Sequence, residues 1–145
     1  MRNINRIVIH CSDSEYGDAT LIDRWHKARG WKGIGYHYVI NNPYTTSRML
    51  NDGTPAFDRD GAVEHGRDIE EIGAHVHGYN KESIGICLIG KRVFTSRQFD
   101  ALTDIVWGLL DLYPGSIIQG HYELDPAKTC PNLDMDYLRE LMNRF

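Results

Sequence analysis

The first apolar run of the chain, Arg6-Ile7-Val8-Ile9-His10-Cys11-Ser12, has no polar position from Ile7 to Ile9. A β-branched stretch of that kind reads as a strand buried on both faces, and His10 then lies at its C-terminal end. Ile84 to Ile89 repeats the character around Cys87, and Gly35-Tyr36-His37-Tyr38-Val39-Ile40 mixes aromatic and β-branched residues as sheet strands do. Ser116-Ile117-Ile118-Gln119 is a shorter run of the same type. Helical spacing appears elsewhere. Thr20-Leu21-Ile22-Asp23 has the form of a capping box, and Leu21, Trp25 and Ala28 recur at helical spacing before Gly30, which predicts a helix from about Thr20 to Arg29. Thr95 with Gln98 opens a second, which carries Phe99, Leu102, Val106 and Leu109 on one face and stops at Pro114-Gly115. Asp134 caps a third, with Leu138, Leu141, Met142 and Phe145 on its apolar face. Between Asn41 and Arg59 the chain is polar and broken by Asn42-Pro43, Asp52-Gly53 and Thr54-Pro55, which predicts a long loop or a loose hairpin. Short strands alternating with helices, without repeats, give an α/β or α+β class.

Composition narrows the function. With 145 residues and 41% hydrophobic content, the chain suits one domain spanning 1–145. A formal net charge of -4 with 16 scattered basic residues argues against nucleic acid, whose phosphates demand clustered Lys and Arg. No run is long enough for an integral membrane segment, and the N-terminus lacks the basic, apolar, small-residue order of a signal peptide, so cytoplasmic synthesis is expected. Three cysteines at unrelated spacings predict reduced thiols rather than a disulfide framework.

That leaves Cys130 available as a thiolate. It shares the segment Gly120-His121-Tyr122-Glu123-Leu124-Asp125-Pro126-Ala127-Lys128-Thr129-Cys130-Pro131 with an imidazole and a cation, and His10 supplies a second imidazole at another strand end. Two histidines and a cysteine make three-quarters of a tetrahedral zinc shell, with the open fourth position of a catalytic site. No compact zinc motif accompanies them, so the residues alone also allow a buried His10, a surface His121 and an inert Cys130. Cys11 and Cys87 read as core. His75 and His77 alternate in Gly73-Ala74-His75-Val76-His77-Gly78 and suit either a ligand pair or substrate contact. His26 reads as part of a solvated helix face, His37 as a satisfied hydrogen-bonded histidine, and Trp31 as a candidate binding residue.

Taken in order, Ile9-His10-Cys11-Ser12, Trp25-His26-Lys27-Ala28-Arg29-Gly30-Trp31, Gly35-Tyr36-His37-Tyr38, Gly61-Ala62-Val63-Glu64-His65-Gly66-Arg67, Gly78-Tyr79-Asn80, Ser83-Ile84-Gly85-Ile86 and His121 through Cys130-Pro131 resemble the zinc-dependent N-acetylmuramoyl-L-alanine amidases of the phage-lysozyme type. Peptidoglycan recognition proteins share that superfamily. The resemblance runs from about Ile7 to Leu133.

It implies a mixed central sheet flanked by helices and one Zn2+ per chain, held by His10, His121 and Cys130. It implies Tyr36 and Lys128 as catalytic residues and His75 and Asn80 as substrate contacts, beside Trp31, which the residues alone offer as a binding candidate. The bond cut would be the amide between N-acetylmuramic acid and L-alanine in peptidoglycan. The expected protein is a monomer that reaches the cell wall after release or delivery. Two other readings remain at this level: a peptidoglycan-binding module without catalysis, and Cys-His nucleophilic catalysis by Cys130. The segment from Asn42 to Arg59 is longer than the family's usual turn and is expected to rim the cleft.

Overall fold

A computed structural model describes residues 1–143, so Phe145, expected on the last helix, lies outside the described residues. Among the described residues the strands are β1 (Arg6–Cys11), β2 (Tyr38–Ile40), β3 (Val63–His65), β4 (Ser83–Leu88) and β5 (Ile117–Gly120), and the α-helices are α1 (Ala19–Ala28), α2 (Ser47–Asp52), α3 (Ser96–Leu112), α4 (His121–Leu124) and α5 (Met135–Leu141). One mixed sheet results, in the order β3-β2-β4-β1-β5. β1 runs parallel to both of its neighbours, β2 runs parallel to β4, and β3 closes the far edge antiparallel to β2.

The uninterrupted apolar runs occupy the centre, as burial on both faces requires. On one face, Ile7, Ile9, Ile40, Ile84, Ile86 and Leu88 pack against Leu102, Val106 and Leu109 of α3 and Met135 and Leu138 of α5. On the other, Val39 and Cys87 pack against Ile22 of α1. His10 pairs in register with Cys87, and Cys87 with Val39, so the His10 imidazole emerges on the α1 side of the sheet. Among the described residues no helix is long and apolar enough to cross a membrane.

Several elements differ from the sequence pattern in instructive ways. The first helix starts one residue early because the Asp18 side chain, rather than Thr20, accepts the Leu21 N–H (2.8 Å). Its buried stripe is Ile22 and His26, four residues apart, so His26 faces the interior and not solvent. The expected long loop contains α2, capped by Thr46 and ended by Gly53 at φ 65, and a short 3-10 turn at Phe57–Arg59. None of α2 is buried, which explains why no apolar period announced it. Thr95 and Gln98 form the expected capping box, and the Gln98 amide reaches further, donating to the Ile40 and Ile89 carbonyls. On α5, Leu138 is buried and Leu141 exposed, which narrows the expected apolar face.

Candidate metal centre

His10 is the next-to-last residue of β1, 1% exposed, and His121 is the first residue of α4, immediately after β5. Ile9 pairs with Gly120 across the parallel β1–β5 ladder, and the next residue of the chain on each side is a histidine. Gly120 is required at that corner, since a Cβ there would lie 2.6 Å from Met135 Cγ and push α5 away. The turn that carries His121 is clamped from outside. The Glu123 carboxylate accepts the Gly120 N–H (2.9 Å) and makes a two-pronged pair with Arg139 of α5 (2.7 and 3.0 Å).

The loop after α4 folds back over the same edge and delivers Cys130. Its Sγ accepts the Cys11 N–H at 3.1 Å and lies 3.7 Å from His10 Nδ1. One ligand atom from each of His10, His121 and Cys130 falls within 4.8 Å of the other two. Tetrahedral zinc with Zn–N near 2.0 Å and Zn–S near 2.3 Å separates a nitrogen from a sulfur by about 3.6 Å, so the residues present fit that ion. Their protonation fits as well. Burial, then the neighbouring His75 and His121, hold His10 well below the usual imidazole range, and burial followed by the Lys128 charge lowers His121. Both rings are therefore neutral near pH 7, with a lone pair to offer. The adjacent Cys11 thiol and burial push the Cys130 thiol up, so binding of a cation there displaces a proton.

Around the three donors lies a cleft of about 610 Å³ on the α1 side of the sheet, lined among others by Trp31, Tyr36, His75, Asn80 and Lys128. Tyr36 sits in the extended approach to β2, where Gly35 passes so close to the next segment that a Cβ would lie 2.0 Å from the Ala74 carbonyl oxygen. Its ring packs against His10 (centroids 5.0 Å apart) and His26 (5.5 Å), and burial raises its phenol well above the ordinary value. Lys128 is exposed on the cleft wall, two residues before Cys130. Trp31 is 39% exposed at the rim, with the His26 ring 4.5 Å away and the Arg29 guanidinium 5.9 Å above it.

Of the eight residues singled out in the sequence, seven line this cleft and the eighth, His10, is buried beside Cys130, but not all of the seven point into it. His75 is 8% exposed and has both ring nitrogens directed at protein groups. The Asn80 amide oxygen accepts the backbone N–H of His75 and of Val76 (2.9 Å each), which ties the loop to itself. His77 is exposed and stands apart from the three donors. His37 is hydrogen-bonded as expected, with Nδ1 accepting the Gly85 N–H (3.0 Å). Two contributions were not anticipated: the Cys11 backbone N–H on Cys130, and the role of His26, whose Nδ1 accepts the Gly35 N–H (3.0 Å) and so steadies the approach to Tyr36. A glycine inside the apolar run Ile84-Gly85-Ile86 was the available signal of close approach at this face.

Fold and site together define an α/β protein whose cleft holds a His/His/Cys group able to take a metal ion. The chain belongs to the N-acetylmuramoyl-L-alanine amidase family, whose model matches residues 1–133. It is 33% identical over 142 residues to the endolysin of Enterobacteria phage K11, covering 90% of this chain and 82% of that protein. It is 35% identical over 140 residues to the endolysin of Escherichia phage T7, covering 89% and 81%. Among solved structures it resembles the N-acetylmuramoyl-L-alanine amidase LysC from Clostridium intestinale URNW, with a TM-score of 0.80, 26% identity, and coverage of 99% of this chain and 88% of that one.

Proposed function

We propose that this chain hydrolyses the amide between the lactyl carbonyl of N-acetylmuramic acid and the L-alanine of the peptidoglycan stem, with one zinc held by His10 Nδ1, His121 and Cys130 Sγ. The observation that carries this reading is the convergence of two neutral imidazoles and one thiol in the cleft of an amidase-family chain. When bound, zinc supplies a Lewis acid that polarises the scissile carbonyl and lowers the pKa of water toward ~7.

The chain's own groups do the rest. Lys128 projects a positive charge from the loop that carries Cys130, placed to stabilise the oxyanion that develops on the carbonyl oxygen. The Tyr36 hydroxyl, on the lining of the same cleft, is the group we assign to hold or pass a proton to the leaving amine. Neither residue coordinates. Trp31, with the Arg29 guanidinium over its ring and the His26 ring tilted against it, offers partly exposed aromatic surface at the rim for the sugar or the peptide. The protein is proposed to act as a monomer, on the wall, after release or delivery to it.

The test is mass spectrometry of purified peptidoglycan after digestion, with and without prior removal of metal. Free stem peptides with new L-alanine amino termini, lost on chelation and restored by zinc, are expected. Intact peptidoglycan with retained binding would replace this reading with that of a recognition module.

A further inference from the structure

Two of the site's histidines bond to each other, and the role of His10 as a ligand sets the direction of that bond. His10 Nδ1 faces Cys130 Sγ at 3.7 Å, while His10 Nε2 points away and lies 2.8 Å from His75 Nδ1. If Nδ1 is to offer a lone pair, a neutral His10 carries its proton on Nε2, which donates to His75 Nδ1. His75 then carries its own proton on Nε2, where Ser83 Oγ accepts it at 3.2 Å. Ser83 is fully buried at the start of β4.

We infer that His75 is a positioning residue for the metal ligand His10: together with Ser83 it holds His10 in the one tautomer and orientation that presents Nδ1 to the ion. This rests on the reading of His10 as a ligand.

The surroundings of His75 are shaped to hold that ring still. A Cβ at Gly85 would lie 2.6 Å from its Cγ, and one at Gly73 would lie 2.7 Å from its Cδ2, so both glycines leave space that the imidazole fills. Asn80 pins the backbone by accepting two successive N–H groups, from His75 and Val76. On the far side the His37 ring meets His75 edge-on at 5.9 Å and is itself fixed between the Gly85 N–H and the Glu71 carbonyl. A ring walled in this way cannot turn to meet a substrate without breaking its bond to His10. The motif from Gly73 to Asn80 thus acts on the metal ligand from behind, and a partner of this kind typically changes metal affinity by about 10- to 100-fold when lost.

Two measurements test the inference. Long-range proton–nitrogen NMR of the zinc-loaded protein should find His10 and His75 both protonated at Nε2, and a His75 protonated at Nδ1 would overturn it. Zinc affinity, measured by competition with a chromophoric chelator, should fall about 10- to 100-fold in His75→Leu. His75→Asn, whose Oδ1 can take the place of Nδ1 as acceptor, should recover most of the loss, and Ser83→Ala should show a smaller loss. Wild-type affinity in His75→Leu, or a loss that Asn does not repair, makes the residue mere packing and overturns the inference while His10 remains a ligand. Wild-type protein that takes up no zinc overturns the ligand reading and this inference with it. Should His75→Leu fail to fold, the tautomers and Ser83→Ala decide.

Discussion

His10, near the end of β1, and His121, the first residue after the adjacent parallel strand β5, each lie one residue beyond the Ile9–Gly120 pair, with ring centroids 4.7 Å apart at 65°. Parallel pairing imposes this juxtaposition. Two strands that run the same way in register bring their next residues out side by side, whatever the distance between them in sequence. The third donor needs no strand, since the loop from Asp125 to Pro131 only has to return to the Cys11 N–H.

Metal content follows from that arrangement. Purified protein should contain about one zinc per chain, as expected for a three-ligand catalytic site. Cys130→Ser should lose most of that metal and nearly all turnover, measured by elemental analysis beside peptidoglycan digestion. An active, metal-free preparation would sink the mechanism.

Lys128 separates charge from coordination. Lys128→Ala should keep its zinc and lower kcat by ~10²–10³, with little change in KM, because the proposed interaction is made in the transition state. Near-normal turnover would remove Lys128 from the reaction.

Tyr36→Phe keeps the ring against His10 and His26 and deletes only the hydroxyl. Turnover should drop by ~10² or more if that hydroxyl moves or holds a proton in the reaction, while zinc content and the unfolding midpoint stay near wild type. A variant that loses zinc would make Tyr36 a structural support of His10 instead.

His26 ties stability to pH. Burial, then the Arg29 and Arg67 charges, lower its pKa from 6.5 to about 4. Between those values the unfolded chain binds a proton that the folded chain refuses, so its contribution is complete above pH 6.5 and is lost as pH falls toward 4. Urea unfolding of the metal-free protein at about pH 7.5 and about pH 5 should show wild type losing more stability than His26→Gln over the interval. His10, His37, His75 and His121 shift in the same direction and remain in both proteins, so the difference isolates His26. Equal losses would remove it as a source.

The segment carrying α2 should be dispensable for folding. No α2 residue is buried, and Leu50 and Tyr44 help to wall a groove of about 570 Å³ that also includes Asp13, a residue shared with the metal cleft. Replacing residues 46–54 with a short turn should leave thermal unfolding nearly unchanged and alter the preference among stem peptides in the digestion assay. Gross unfolding would show that the segment is part of the core.

Much of the fold was legible because its determinants are local. Ile7–Ile9 and Ile84–Ile89 have no polar position to turn outward, so each could only be a central strand, and the Thr95–Gln98 box marks the start of α3 through bonds three residues apart. Local marks mislead where two compete. The pattern at the first helix points to Thr20 as its cap and to Ala28 on its apolar face, whereas Asp18 caps the helix and packing on the sheet buries Ile22 and His26. The site was legible differently, through ordered motifs around His10, Tyr36, His121, Lys128 and Cys130, which mark the family before any geometry is known.

By itself, then, the sequence determined the four strands that carry apolar runs (though not the exposed edge strand β3), the longer helices and the chemical set of two imidazoles, a thiol, a phenol and an ammonium, because apolar period, capping and side-chain chemistry are carried by neighbours along the chain. Only the tertiary structure decided that β1 lies between β4 and β5, that His10 and His121 emerge side by side, and that the His75 ring nitrogens are taken by His10 and Ser83. Those outcomes depend on strand pairing and on the space left by Gly73 and Gly85, and contacts between residues 65 or more apart in sequence leave no periodic trace along it.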